Sequence, residues 1–424
     1  GAFEVLTATI PGSDPVLGSE EIVYSCHLDH QRPGANDNAS GCVTILEVAR
    51  TLARLIADGR IPRPARTLRF VWPPEIEGTL VLLNGRPDIA ARIKAAIHMD
   101  MVGGGPETKS ILHVTRGPAS LQSLIDDVAA AFGEFVNQQS AEFAGTGRAA
   151  YPLVAPEGGK EALQAELVEF TMGSDHEVYA EGSFRIPAIY LNDWPDRYIH
   201  TNFDTPANID PTKLLRAGFI AAASGLGLAN LGPADAPRVF GIVRSAALRR
   251  LARLLERRAE LSANEAANLA RFHLASERAA FQSLERFGAM TEAVKREADL
   301  FFRGLEQLVP VPEASSERRD PRIRDSRIYE RTGLQGPMSV FGYDFLRHKL
   351  GAEAAGALRL PGFAGSRGDG AEYAYEVLNL VNGSRSVSEI RDAVSAVYGP
   401  IPADIVAEYL EALAAVGAVR LPHR

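Results

Sequence analysis

The sequence predicts an α/β protein carrying two appendages, and three observations support that expectation. Strand-like and helix-like segments alternate up to about Gly232, the pattern of an α/β domain. From Arg238 to Leu308 the chain is rich in Ala, Leu, Arg and Glu and poor in Gly and Pro, which predicts long helices. The last fifty residues then carry helix start and stop signals of their own. At 424 residues the chain exceeds one ordinary core. The expected division is a first domain over 1–232, a helical segment over 233–310, an extended linker region over 311–365 and a small domain over 366–424.

Taken in order, Phe3 to Ile10 and Ile22 to Cys26 read as strands, and Thr44 to Ala57 has apolar residues at helical spacing. Thr67 to Trp72 alternates like a strand; Ala95 to Met99 and Ala188 to Leu191 read as buried strands. Thr212 to Leu228 is expected to close the domain as a helix ended by Gly232-Pro233. In the helical segment, Leu248, Leu251, Leu254 and Leu255 mark one stripe, expected to belong to an antiparallel helical pair packed on the first domain. A lid or a surface for homo-oligomer assembly is the alternative for that segment. Pro, Ser and charged residues from Val309 to Gly336 predict an extended surface connection. In the final part Tyr373 to Leu380 is a helix closed by Asn382-Gly383, Ser386 and Glu389 form a capping box, a third helix runs from Ala403 to Ala415, and Ala418 to Leu421 is a strand. Three helices and a short strand resemble a winged-helix module. The wording Leu380-Val-Asn-Gly-Ser-Arg-Ser-Val-Ser-Glu-Ile390 is similar to the peptide chaperone of pyrroloquinoline-quinone biosynthesis, whose family binds peptides; a stabilising cap is the plainer expectation.

Composition excludes several classes. Hydrophobic residues at 46% and charged residues at 23% are an ordinary soluble balance. A net charge of −8 gives no support for nucleic-acid binding. No run approaches the roughly 20 apolar residues of a membrane span. Two cysteines, Cys26 and Cys42, make no disulfide framework, and whether they pair is not legible. The chain opens on Gly1-Ala2 with no charged, apolar leader, so an upstream segment is expected to have been removed; the compartment stays open.

The chemistry is concentrated in the first domain. His27 and Asp29, in Cys26-His-Leu-Asp-His30, directly follow a strand, where ligands collect in open α/β sheets. The loop Pro33-Gly-Ala-Asn-Asp37-Asn-Ala-Ser-Gly41 can bend sharply and aim Asp37 at the strand end. Glu75 and Glu77 follow a third strand, and carboxylates beside a buried strand end call for a counter-charge such as a metal. Asp100 ends another strand, and His200 precedes the closing helix. Each of these segments alone reads as a solvated loop or a satisfied core residue; five together, most at strand ends, point to a metal centre.

In this order the segments resemble the zinc exopeptidase family of bacterial secreted aminopeptidases, with glutamate carboxypeptidase and glutaminyl cyclase as relatives. The likeness covers roughly residues 1 to 232 and is closest around Asp37. It implies a three-layer α/β/α fold with a twisted mixed sheet. It further implies two zinc ions, with His27 and Asp100 on one, Asp37 bridging, and a glutamate and His200 on the other. Glu75 would be the general base, Glu77 the glutamate ligand, and Asp29 the acceptor of the His27 ring N–H. The implied activity is removal of the N-terminal residue of a peptide, the expected partner; neither nucleic acid nor membrane is expected.

The sequence departs from the family pattern in two places, at the glutamate pair and just before the late histidine. Two adjacent glutamates are usual, base then ligand, whereas Ile76 separates Glu75 from Glu77. A variant with a single glutamate would leave Glu77 merely exposed. A glutaminyl-cyclase-like enzyme with one zinc and a non-catalytic peptide-binding relative are therefore the alternatives. Tyr190 and Tyr198 are the candidates for an oxyanion donor, since Ile199 precedes the late histidine. Asp175 is expected to support the pocket, His176 to be a ligand only as a minor alternative, and His30 and His98 to be bystanders.

Overall fold

A computed structural model describes residues 4–310, 325–340 and 343–422. Seven strands build the main sheet: β1 (Leu6–Ile10), β2 (Glu21–Ser25), β3 (Thr67–Trp72), β4 (Ile93–Asp100), β5 (Ile111–Thr115), β6 (Glu166–Val168) and β7 (Ala188–Trp194). Their order is β1-β3-β2-β4-β7-β5-β6. The central four are parallel, β1 is antiparallel to β3 and β5 is antiparallel to β7, so the sheet is mixed as expected. Phe3, assigned to the first strand, lies outside the described residues.

The strand sequences explain the layering. All five residues of β2 are buried, as an interior parallel strand covered on both faces requires. Ile22 and Tyr24 face α1 (Gly41–Ala57), α4 (Leu124–Thr146) and α6 (Pro211–Asn230). Val23 faces the other layer, formed by α2 (Glu77–Gly85), α3 (Pro87–Ala90) and α5 (His176–Ala180). The result is a three-layer α/β/α arrangement. Beside β2 the chain first builds outward to β3 and then returns to the opposite side as β4. That reversal opens a crevice at the carboxyl ends of the strands.

The segment after α6 forms three helices rather than a pair: α7 (Ala236–Arg258), α8 (Ala263–Gln282) and α9 (Glu292–Leu308). Leu251 and Leu254 are buried, but Leu248 and Leu255 stay about half exposed at 47% each, so the leucine stripe is divided between core and surface. The apolar cluster of β2, α1 and α6 runs without a break into Phe240, Phe281 and Phe302. Arg66, fully buried, sits at that junction. It donates to Leu231 O at 2.8 Å and Phe287 O at 2.7 Å and pairs with Glu20 at 2.7 Å. Among the described residues no single helix is long and apolar enough to cross a membrane.

The stretch expected to be extended carries structure over its described residues: β8 (Glu330–Arg331), β9 (Ser339–Val340), β10 (Tyr343–Asp344), α10 (Phe345–Leu350) and α11 (Ala352–Gly356). Its Tyr329, Met338, Leu346 and Leu360 are buried in the core of the C-terminal part, which explains why a Pro- and charge-rich segment is not a free tether. That part comprises α12 (Gly370–Asn379), α13 (Val387–Tyr398), α14 (Ala403–Ala415) and β11 (Val419–Arg420), the last paired with β8. Ser386 and Glu389 form the reciprocal capping box read from the sequence.

Candidate metal centre

His27 emerges from β2 with 1% of its surface exposed. Its Nδ1 donates to the carbonyl of Asp29 at 2.8 Å, which leaves Nε2 as the lone-pair nitrogen. Nε2 faces Asp37 Oδ1 at 3.2 Å and Asp100 Oδ1 at 3.4 Å. Asp29 was expected to accept this ring N–H through its carboxylate. That carboxylate is 3.9 Å away and instead takes the backbone N–H of Glu75 at 2.6 Å, because the carbonyl two residues on is already in line with the ring.

Asp37 is aimed by a loop whose composition now has a reason. Asp204 accepts from Asn36 N at 2.7 Å and Asp37 N at 2.9 Å, satisfying two buried donors from far along the chain. The Asn38 side chain donates to Met99 O and accepts from Gly41 N, and Asn36 accepts from Gly103 N. These amides stitch the loop to the end of β4, where Asp100 stands. A Cβ on Gly34 would meet Asp37 O at 1.8 Å, and one on Gly41 would meet Met99 O at 2.2 Å, so neither position admits a side chain.

A second cluster forms on the far oxygen of Asp37. His30 Nε2 lies 3.0 Å and His200 Nε2 3.1 Å from Oδ2. The groups His27–Asp37–Asp100 and His30–Asp37–His200 each bring their ligand atoms within 4.8 Å of one another. His30, expected to be a bystander, is therefore part of the constellation. The signal in the sequence was its position three residues after His27, within the same strand-end loop.

The glutamates divide. Glu75 lies within electrostatic reach of His27, Asp100, Asp175 and Asp37; burial first, then the three aspartates, push its carboxyl up to about 8. Glu77, expected as a ligand, is exposed at the first turn of α2 and joins neither cluster. Between them Ile76 has φ 59° and packs into the apolar layer with Val178, which turns the next residue outward. Its N–H is held by Asp175 Oδ1 at 2.9 Å. His98 is bracketed by Ser25 and Ser174 and kept neutral by burial; His176 stacks on Tyr190 and donates from Nε2 to Thr171 O at 2.8 Å. Neither is in a cluster. Tyr198 packs with Phe203 and Arg197, and Cys26 and Cys42 are free and buried.

Electrostatics test whether the site fits a cation. Burial alone would lower the His27 pKa, but Asp100 and Asp37 outweigh it and raise it. Burial alone would raise that of Asp37, but His27, His30 and His200 outweigh it and lower it. His27 Nε2 and Asp100 Oδ1 are buried without a hydrogen-bond partner, an expensive arrangement unless a positive ion lies between them. Imidazole and carboxylate are the donors zinc takes, so the residues fit a metal.

A family model described as Peptidase family M28 matches residues 6–224, just over half of the chain. The probable leucine aminopeptidase of Arthroderma otae is 26% identical over 220 residues, covering 50% of this chain and 53% of that one. Leucine aminopeptidase 1 of Fusarium vanettenii is 32% identical over 124 residues, 25% of this chain and 31% of that one. The chain thus spans about half the length, or less, of the curated relatives it matches. Among solved structures, a zinc aminopeptidase from Bacillus subtilis is similar at 20% identity and a TM-score of 0.39, over 52% of this chain and 48% of that one. A putative peptidase from Clostridium acetobutylicum is similar at 13% identity and a TM-score of 0.37, over 99% of this chain and 60% of that one.

Proposed function

The chain belongs to peptidase family M28, and on that premise we propose that it is a metallo-aminopeptidase hydrolysing the N-terminal bond of peptides with two zinc ions at the carboxyl ends of β2 and β4. The observation that carries this reading is the buried, unpartnered pair His27 Nε2 and Asp100 Oδ1 facing a shared Asp37. Bound there, zinc supplies Lewis-acid polarisation of the scissile carbonyl and acidifies the attacking water.

The protein's own groups do the rest. Asp37 turns one oxygen to each cluster and so fixes their separation. Glu75 removes the proton of the attacking water and delivers it to the leaving amine. Its backbone is held for that task by Asp29 at one residue and Asp175 at the next. The surrounding carboxylates attract a cationic amino terminus, which favours an exopeptidase. Glu75 beside the cluster argues against a non-catalytic relative, and the second histidine pair on Asp37 argues against a one-zinc enzyme.

The test is hydrolysis of a panel of aminoacyl-nitroanilides by the purified protein together with its metal content. Glu75→Gln should retain the metal and lose about 10²–10⁴-fold in kcat. Unchanged turnover in that variant removes Glu75 from the mechanism; metal without turnover in the parent favours a peptide-binding protein.

A further inference from the structure

We infer that His30, not a glutamate, completes the second metal site, so that the site is His30–Asp37–His200 and the two halves of the centre differ in donor set and exposure. The inference rests on the reading of the protein as a two-metal peptidase.

Three observations converge. First, neither glutamate after β3 joins the His30–Asp37–His200 group: Glu75 lies toward His27 and Asp100, Ile76 is buried at 2% among Val71, Leu83 and Val178, and Glu77 starts α2 on the surface. Second, His30 is prepared as a ligand by the same local device as His27. His27 Nδ1 donates to the carbonyl of residue 29 at 2.8 Å, and His30 Nδ1 donates to that of residue 32 at 2.7 Å. Each ring therefore has its tautomer fixed two residues downstream and points Nε2 at Asp37. Third, two imidazole nitrogens converge on the one oxygen Oδ2, at 3.0 and 3.1 Å. A cation between the three satisfies all of them at once.

The chemistry of the halves follows. The first has one imidazole and two carboxylates, buried at 1–5% exposure. The second has two imidazoles and a share of Asp37, with side chains of His30 and His200 exposed at 17% and 49%. Fewer carboxylates and more nitrogen select zinc, cobalt or nickel over magnesium or manganese. Greater exposure makes this ion the later to load and the first to exchange.

The experiment measures metal rather than turnover. The full chain is stripped with chelator, titrated with zinc by calorimetry, and assayed for metal per chain by plasma mass spectrometry; cobalt absorption reports coordination. The parent should bind two ions in two steps. His30→Ala and the more conservative His30→Gln should keep the first step and weaken the second by more than the roughly 10–100-fold that loss of an outer partner costs. Glu77→Ala should leave both steps unchanged. Two unaltered steps in both His30 variants, or loss of the second step in Glu77→Ala, overturns the inference while the peptidase reading stands. One ion in the parent overturns it and leaves a one-metal peptidase. No ion at all sinks both.

Discussion

The strand-end loops and the C-terminal three-helix part are built by opposite rules. In the C-terminal part the organising contacts are local: Asp369 with Glu372 and Ser386 with Glu389 cap their own helices, and Tyr373, Val377 and Leu410 fill an apolar core. In the loops the His27 and His30 rings are set locally, but the contacts that hold the backbone at Asp37 and Ile76 come from far away. Asp204 caps the Asp37 turn, Asp175 holds Ile76 at φ 59°, and His200 also sits at φ 59°. Backbone in that region costs a β-branched residue about 1–3 kcal/mol, so it persists only where surroundings enforce it. Helical rules therefore make a stable body, whereas the site needs polar ties across the fold.

The two regions meet behind the Asp175 loop. Tyr375 donates to Glu177 O at 2.6 Å and stacks on Phe170, Asn379 accepts from Gly182 N at 2.9 Å, and Arg331 pairs with Glu181 and donates to Ser183 at 2.8 Å. The C-terminal part thus backs the segment that positions Ile76 and, through it, Glu75.

Substitutions can break this contrast in graded fashion. Asp204→Ala should act most strongly, because it orphans two buried N–H groups at about 1–3 kcal/mol each. Thermal melting should drop and zinc affinity fall with it; a stable variant with full metal content would show that the turn holds itself. Arg331→Met leaves Glu181, fully buried, without its cation, a loss of about 3–5 kcal/mol. It should also lower kcat, since it loosens the α5 segment from outside, and an unchanged kcat would detach the C-terminal part from catalysis.

A third lever is pH. Glu376, buried on α12, accepts the Ser120 N–H; burial raises its carboxyl to about 7 from an ordinary 4.5. A raised folded pKa means stability that is complete below about 4.5 and lost as pH climbs through 7. Glu376→Gln keeps an acceptor without the charge. It should melt above the parent at pH 8, by a stability difference of order 3 kcal/mol, and converge with it near pH 4.5. Parallel melting curves across that range would contradict the assignment. The smallest effect is expected for Ser386→Ala, about 1 kcal/mol of stability with kcat unchanged, as a local cap dictates. A fall in its kcat would erase the distinction between the regions.

The same contrast explains what could be read in advance. Strands of the central sheet, α1, α6 and the C-terminal helices follow period and cap rules and were legible. The 23-residue helix α4 was not, because its buried face carries Asp126, Asp127, Gly133 and Ser140 in place of an unbroken apolar stripe. Arg250 satisfies Asp127, and Ser140 accepts from Leu163 N, so tertiary partners hide the periodicity. Around the candidate centre, His27, Asp37, Asp100 and His200 were expected from motif order and lie together in the structure. His30 was not expected there, since its approach to Asp37 depends on a ring orientation set by the Arg32 carbonyl, and the outward turn of Glu77 depends on a positive φ at Ile76.

Arg66 carries a consequence for trimming the protein. The stretch matched to the family ends inside α6, yet this guanidinium takes two of its acceptors, Leu231 and Phe287, from beyond that boundary. A stop codon after the sheet would take away two carbonyls that this buried guanidinium uses beside Glu20, and would bare the apolar surface on which α7 to α9 pack. The minimal foldable enzyme therefore extends well past its catalytic motifs, and shortened versions should be recovered as inclusion bodies.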